Sequence, residues 1–158
     1  MPYLIDGNNL LGRISREELK DRRGRDGLIV RLLSFQRVKR RRIFLVFDGK
    51  PEDAQTVVSV NDKFTILYPE EGSSADDVIK EFLGRQKDKR RFSVVSSDRD
   101  IRETARSKGI ESTSSDDFFR ELKEVLRERK KQREMEKRED NPSPLEISLW
   151  KEVFKSKS

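Results

Sequence analysis

Residues 3–9 read YLIDGNN. A short apolar run ends in an aspartate and Gly-Asn-Asn follows at once, which predicts a buried strand stopping at a turn. The pattern returns twice. IFLVFDG (43–49) is a β-rich run ending in Asp-Gly, and FSVVSSD (92–98) is an apolar run ending in aspartate. Between and after them lie helical patterns. Residues 15–40 read as largely helical, with interruptions near Gly24 and Gly27 and an apolar face of Leu28, Ile29, Leu32, Leu33 and Phe35. VVSV (57–60), an Asn-Asp turn and FTILYP (64–69) read as two more strands, the first at an edge. A helix is expected from about Ser74 to Lys87, capped by Ser73 or Ser74. A short helix over 99–108, a strand at IEST (110–113) and a helix capped by Ser114 or Ser115 follow. Strands alternating with helices predict an α/β fold, with a central, mainly parallel sheet flanked by helices on both faces.

The last of these helices buries Phe118, Phe119, Leu122, Val125 and Leu126, after which the apolar stripe stops. The expected organisation is therefore a domain over 1–126, a charged helical extension or linker over 127–140, and a tail over 141–158. Asn141-Pro-Ser-Pro144 breaks the charged stretch. Leu145, Leu149, Trp150, Val153 and Phe154 then recur at helical spacing, as in a short amphipathic helix. Such a helix is marginal in water. It needs a surface: the parent domain, a ribosomal protein, or a second copy of the chain by self-association.

Composition narrows the chemistry. The 158 residues contain no Cys and no His. Disulfides, thiolate zinc sites, imidazole acid–base pairs and Ser-His-Asp triads are excluded. Hydrolytic chemistry must rest on carboxylates, lysine, hydroxyls or a hard metal ion bound through oxygen. No apolar stretch reaches membrane-spanning length, and the start is not a signal peptide because Asp6 interrupts the apolar run. A cytoplasmic protein without a membrane partner is expected. The formal net charge of +6 favours a polyanionic partner, nucleic acid first.

Ligands of open parallel sheets bind at the carboxyl ends of the strands. Asp6, Asp48 and Asp98 should therefore converge, although Asp-Gly alone is also a turn signal. A fourth carboxylate is expected from SSADDVIKEF (73–82). At about 100° per residue, Ala75, Val78, Ile79, Phe82 and Leu83 share one face. Asp76 sits at the edge of that face, and Asp77 points away. Clustered carboxylates repel, and a divalent cation resolves the conflict. With oxygen ligands, Mg2+ or Mn2+ is the natural choice. A basic chain with an acidic metal cluster points to phosphodiester cleavage.

YLIDGNNLLG, IFLVFDG, SADDVI and VVSSDRDI, in that order and spacing, resemble the YacP-like branch of the NYN domains, within the PIN-like nuclease superfamily. The resemblance covers roughly residues 2–126. It implies a PIN-like three-layer fold and a metal-dependent endoribonuclease. It also implies that Asp6, Asp76 and Asp98 are metal ligands with Asp48 close by as a catalytic residue. It further implies bacterial RNA processing or mRNA decay, with RNA as substrate and the ribosome as a candidate partner. Asn8 matches the opening motif and is a candidate to orient Asp6 or a phosphate. Asp100 is a further candidate, with a solvated place in the first helical turn as its alternative. Ser96 and Ser97 could bond a metal-bound water or serve as strand-end or capping residues.

The basic runs KRRR (39–42) and KDKRR (87–91) fall at helix C-termini, where cations compensate the helix dipole. Better RNA-binding candidates follow strand ends: Arg13, Arg16, Lys50, Arg99 and Arg102. Tyr68 could stack on a base or pack. Two alternatives stay open. A Toprim-type metal-dependent enzyme would suit SSDRD but expects glutamate where Asp6 stands. A non-catalytic RNA- or ribosome-binding module would keep the fold without turnover. A phosphatase with an Asp-x-Asp nucleophile fits less well, because Gly-Asn follows Asp6.

Overall fold

The computed structural model describes residues 2–17, 24–87, 92–140 and 151. Strand β1 covers Tyr3–Asp6, helix α1 Gly7–Glu17 and helix α2 Gly24–Lys39. Strand β2 spans Ile43–Val46, β3 Val57–Asn61 and β4 Phe64–Leu67. Then come α3 (Ala75–Arg85), β5 (Ser93–Val95), α4 (Arg99–Ser107), β6 (Glu111–Thr113) and α5 (Ser115–Asp140). The tail stripe of Leu145, Leu149, Trp150, Val153 and Phe154 lies outside the described residues, as does most of the KDKRR run.

The six strands form one sheet in the order β3-β4-β2-β1-β5-β6. Only β3 runs antiparallel, against β4 in a hairpin; every other pairing is parallel. The fold is thus the α/β, mostly parallel architecture expected. The central strand β1 is buried throughout, and its residues alternate between two cores. Leu4 packs with Ala75, Ile79 and Leu83 of α3 and with Ile101 and Ala105 of α4. Tyr3, on the other face, meets Phe35 of α2 and Phe118 of α5 with ring centroids 5.9 and 5.5 Å away. Helices therefore cover both faces. The chain goes from β1 to β2 on one side and later to β5 on the other, so β1 and β5 flank a topological switch point, where a crevice opens at the strand ends.

Two local expectations are corrected. No turn follows Asp6, because α1 begins at Gly7 itself. A Cβ at Gly7 would lie 2.7 Å from the Phe47 ring and from the Val46 carbonyl oxygen. The glycine is there for a close backbone approach, which lets the helix start on the last residue of the strand. Gly27 does not interrupt α2 but lies inside it.

Contacts divide the chain into two compact units, Met1–Val125 and Leu126–Ser158. In the second, residues 127–137 are helical and almost wholly exposed, as a sequence charged at all but Gln132 and Met135 requires.

Candidate active site at the ends of β1 and β5

Asp6 is the last residue of β1 and only 6% exposed. Its Oδ2 accepts a 2.9 Å hydrogen bond from the Ser96 hydroxyl, and the backbone N–H of Asn9, in the first turn of α1, also donates to the carboxylate. Burial pushes its pKa up, the two hydrogen bonds oppose that, and the charges of Asp76 and Asp98 raise it further.

Asp98 is not a strand end. Strand β5 stops at Val95, and Asp98 is the N-cap of α4. Its Oδ1 accepts from the Asp100 and Ile101 N–H groups at 2.9 and 3.2 Å. Its own N–H donates to the Ser96 hydroxyl at 3.1 Å. Ser96, fully buried, is thus the bridge between Asp6 and Asp98.

Asp76 stands in the first turn of α3, half-buried. Its pKa is raised by burial and then by Asp98, with Lys80 acting against them. Its neighbour Asp77 is exposed and completes a capping box. Its N–H donates to the Ser74 hydroxyl, and its carboxylate accepts from the Ser74 N–H. Those bonds hold the Asp77 carboxyl below its ordinary range. Lys80 lies one turn after Asp76 and forms an ion pair with Asp100, which gives Asp100 a partner at the rim of the cluster. The i,i+4 spacing to Asp76 was the signal that could have found Lys80.

Asp48 is drawn elsewhere. Val46, not Asp48, stands in register with Asp6, and β2 lies on the side of β1 away from β5. Asp48 is exposed. Its N–H donates to Asn8 Oδ1 at 2.6 Å and its carbonyl accepts from the Arg25 guanidinium. Asn8 therefore orients the Asp48 loop rather than Asp6. The neighbouring Asn9, which sequence reasoning passed over, is the hub instead. Its Oδ1 accepts from the Ser97 N–H at 2.9 Å and from the Ser115 hydroxyl at 2.5 Å. Ser97 Oγ in turn accepts from the Ser115 N–H. One asparagine thus ties together α1, the loop before Asp98 and the start of α5.

The expected RNA contacts divide as well. Arg13 faces Asp116 at 3.7 Å, and Lys50 donates to the Ala54 carbonyl. Arg16 belongs to α1, with its side chain outside the described set. Arg99 and Arg102 line a groove beside α4. Tyr68 packs on Phe47, with ring centroids 6.3 Å apart.

Among the described residues no group of three or more acidic side chains is already set to hold a metal ion. The residues able to contribute to one here are Asp6, Asp76 and Asp98, all oxygen donors. The groups that act most strongly on Asp6 include no cation.

Comparison with known proteins agrees with this architecture. A family model described as the YacP-like NYN domain matches residues 3–157. The crystal structure of Rae1 (YacP) from Bacillus subtilis superposes with a TM-score of 0.71 at 23% identity, covering 99% of this chain and 91% of that one. A tryptophan-to-leucine variant of the same Bacillus subtilis protein gives a TM-score of 0.68 at 21% identity, covering 94% and 90%. At these identities the likeness is one of fold. No curated protein sequence matches the chain. With its family model spanning nearly all of it, the chain belongs to the YacP-like NYN domain family, a membership that supports a nuclease-like, RNA-related function.

Proposed function

We propose that the chain is a metal-dependent endoribonuclease that hydrolyses RNA phosphodiester bonds, with Asp6, Asp76 and Asp98 as its acidic centre. The observation that carries this reading is the meeting of three aspartates from three separate elements at the β1–β5 switch point, where Ser96 bridges Asp6 and Asp98 and the charges of Asp76 and Asp98 add to burial in raising the Asp6 pKa. Folding them together costs free energy that a purely structural site would avoid. A hard divalent cation, Mg2+ or Mn2+, offsets that repulsion. Mg2+ is commonly held by one or two carboxylates and keeps several waters, so a complete protein cage is not needed. The donor set fits such an ion, and Asp6, Asp76 and Asp98 would hold it. Bound there, it would supply Lewis acidity towards a phosphodiester and a more acidic water.

The chain's own residues supply the rest. Ser96 and the Asn9 N–H fix the Asp6 carboxylate, while the α4 backbone fixes Asp98. Lys80 sets the charge at the rim. Asp48, just past the end of the neighbouring strand β2 with its backbone N–H and carbonyl held by Asn8 and Arg25, is the further candidate catalytic carboxylate in this scheme. No helix among the described residues is long and apolar enough to cross a membrane. The proposal extends to RNA processing or mRNA decay on the ribosome, which the basic balance of the chain supports.

The test is incubation of the purified chain with RNA in Mg2+, in Mn2+ and in excess EDTA. Internal cleavage is expected with either ion and none in EDTA, with Asp98→Asn slower by at least about 100-fold. Undiminished cleavage in EDTA or by Asp98→Asn would refute the reading. Binding of RNA without any cleavage would leave the non-catalytic module in its place.

A further inference from the structure

Three of the four cations in the basic run 39–42 are taken up by the fold. Lys39 faces Glu121, Arg41 donates to the Tyr3 hydroxyl, and Arg42 lies over the Phe44 ring. The arginines of α4 are different. Arg99, Arg102 and Arg106 are exposed, and their side chains form no hydrogen bond or ion pair with any described residue. They recur at i, i+3 and i+7, the spacing of one helix face. That face forms a wall of a groove of about 880 Å³ between α4 and β6. Ser97, which is bonded to Asn9 behind the aspartates, lines the same groove. Ser97 and Arg99, the two chain neighbours of Asp98, thus both line the groove.

We infer that the groove between α4 and β6 is a phosphate-backbone site, in which Arg99, Arg102 and Arg106 hold successive phosphates of the RNA strand flanking the aspartates. The inference rests on the nuclease reading and adds to it a path for the strand and a third arginine, Arg106, that strand-end reasoning does not reach. Along α4, Arg99 and Arg106 are separated by about 10 Å, which gives room for a few consecutive phosphates. Glu103 and Glu111 also line the groove, and its balance stays positive. No lining residue is aromatic, so no ring there stacks on bases. Contacts of this kind position a strand without reading its sequence. Binding through this groove is therefore strongly salt-dependent and indifferent to base identity.

The experiment is a titration of the full chain, in EDTA so that nothing is cleaved, with fluorescent oligouridine and oligoadenosine over a range of salt concentrations. Each single-strand phosphate contact contributes about 0.7 to the slope of log K against log salt. Arg106→Gln should lower that slope by about 0.7, and the triple change of Arg99, Arg102 and Arg106 to Ala by about 2. Replacing the exposed Arg37, Arg40 and Arg85 by Ala should leave the slope as it is. Both oligonucleotides should respond alike. Circular dichroism of each variant should match the parent, since the α4 arginines have no protein partner to lose. Slopes unchanged in the triple variant, or lowered equally by the control changes, would overturn the groove assignment. If the chain nevertheless cleaves RNA with Mg2+, the nuclease reading survives that failure. If it neither binds nor cleaves RNA, both fall.

Discussion

Ser96 and Asp6, ninety positions apart in sequence, share a buried 2.9 Å hydrogen bond that joins the ends of two neighbouring strands. The same hydroxyl accepts the Asp98 N–H, so one small side chain sets the spacing of two carboxylates. Ser96→Ala should cost about 2 kcal/mol, the usual range for losing a buried bond to a charged group. It should also raise the Asp6 pKa further, because the hydroxyl is the largest influence holding it down. The acid limb of a pH–rate profile should then move to higher pH. A variant with the parent profile would show that Ser96 only fills space.

Asp76 and Asp77 should separate cleanly. Asp76→Ala should lower RNA cleavage by at least about 100-fold with little loss of stability. Asp77→Ala should keep most of the activity but cost about 1 kcal/mol, because it dismantles the capping box. Cleavage assays and thermal melts of the two proteins check this. Equal losses of activity would contradict it.

Acidic pH should relieve strain at the site. The pKa values of Asp6 and Asp76 are raised in the folded chain, so the folded state binds protons more tightly than the unfolded one. Their contribution to stability therefore falls as pH rises from the ordinary aspartate range through the raised folded values. Asp76→Asn removes its part of the penalty. Without divalent ions it should melt about 1 °C above the parent near neutral pH, and the difference should vanish in acid. A variant that melts lower near neutral pH would mean that Asp76 is stabilised by partners rather than strained.

Asn9 should matter more than Asn8. Asn9→Ala strands the Ser97 N–H and the Ser115 hydroxyl, at an expected cost of about 2–3 kcal/mol. Asn8→Ala frees only the exposed Asp48 N–H and should cost under about 1 kcal/mol. Denaturant unfolding of both variants gives the comparison, and the opposite order would remove Asn9 as the hub.

These contrasts show what the sequence exposed and what it concealed. The apolar runs at 3–5, 43–47 and 92–95 announced the core strands, and the α3 periodicity foretold that Asp76 would be more buried than Asp77. Strand order is a property of long-range pairing, and no local pattern tells that β1 lies between β2 and β5. For the same reason the spacing could not rank Asp48 against Asp6 and Asp98. Choosing between Asn8 and Asn9 required the helical phase of α1, which an expected turn at Gly7 hid. Asp98 was read as a strand end because Ser96 and Ser97 prolong the β pattern past Val95. Their hydroxyls instead turn to Asp6 and Ser115, and the Ser97 N–H donates to Asn9.

Asp6, Asp76 and Asp98 are proposed to form one divalent-cation centre. Crystals of the full chain soaked in Mn2+ and measured near the manganese absorption edge test it directly. An anomalous peak is expected among these three carboxylates, lost in Asp6→Asn crystals soaked the same way. A peak only at Asp48 or at another surface carboxylate, or none at the β1–β5 crevice in well-soaked crystals, would contradict it.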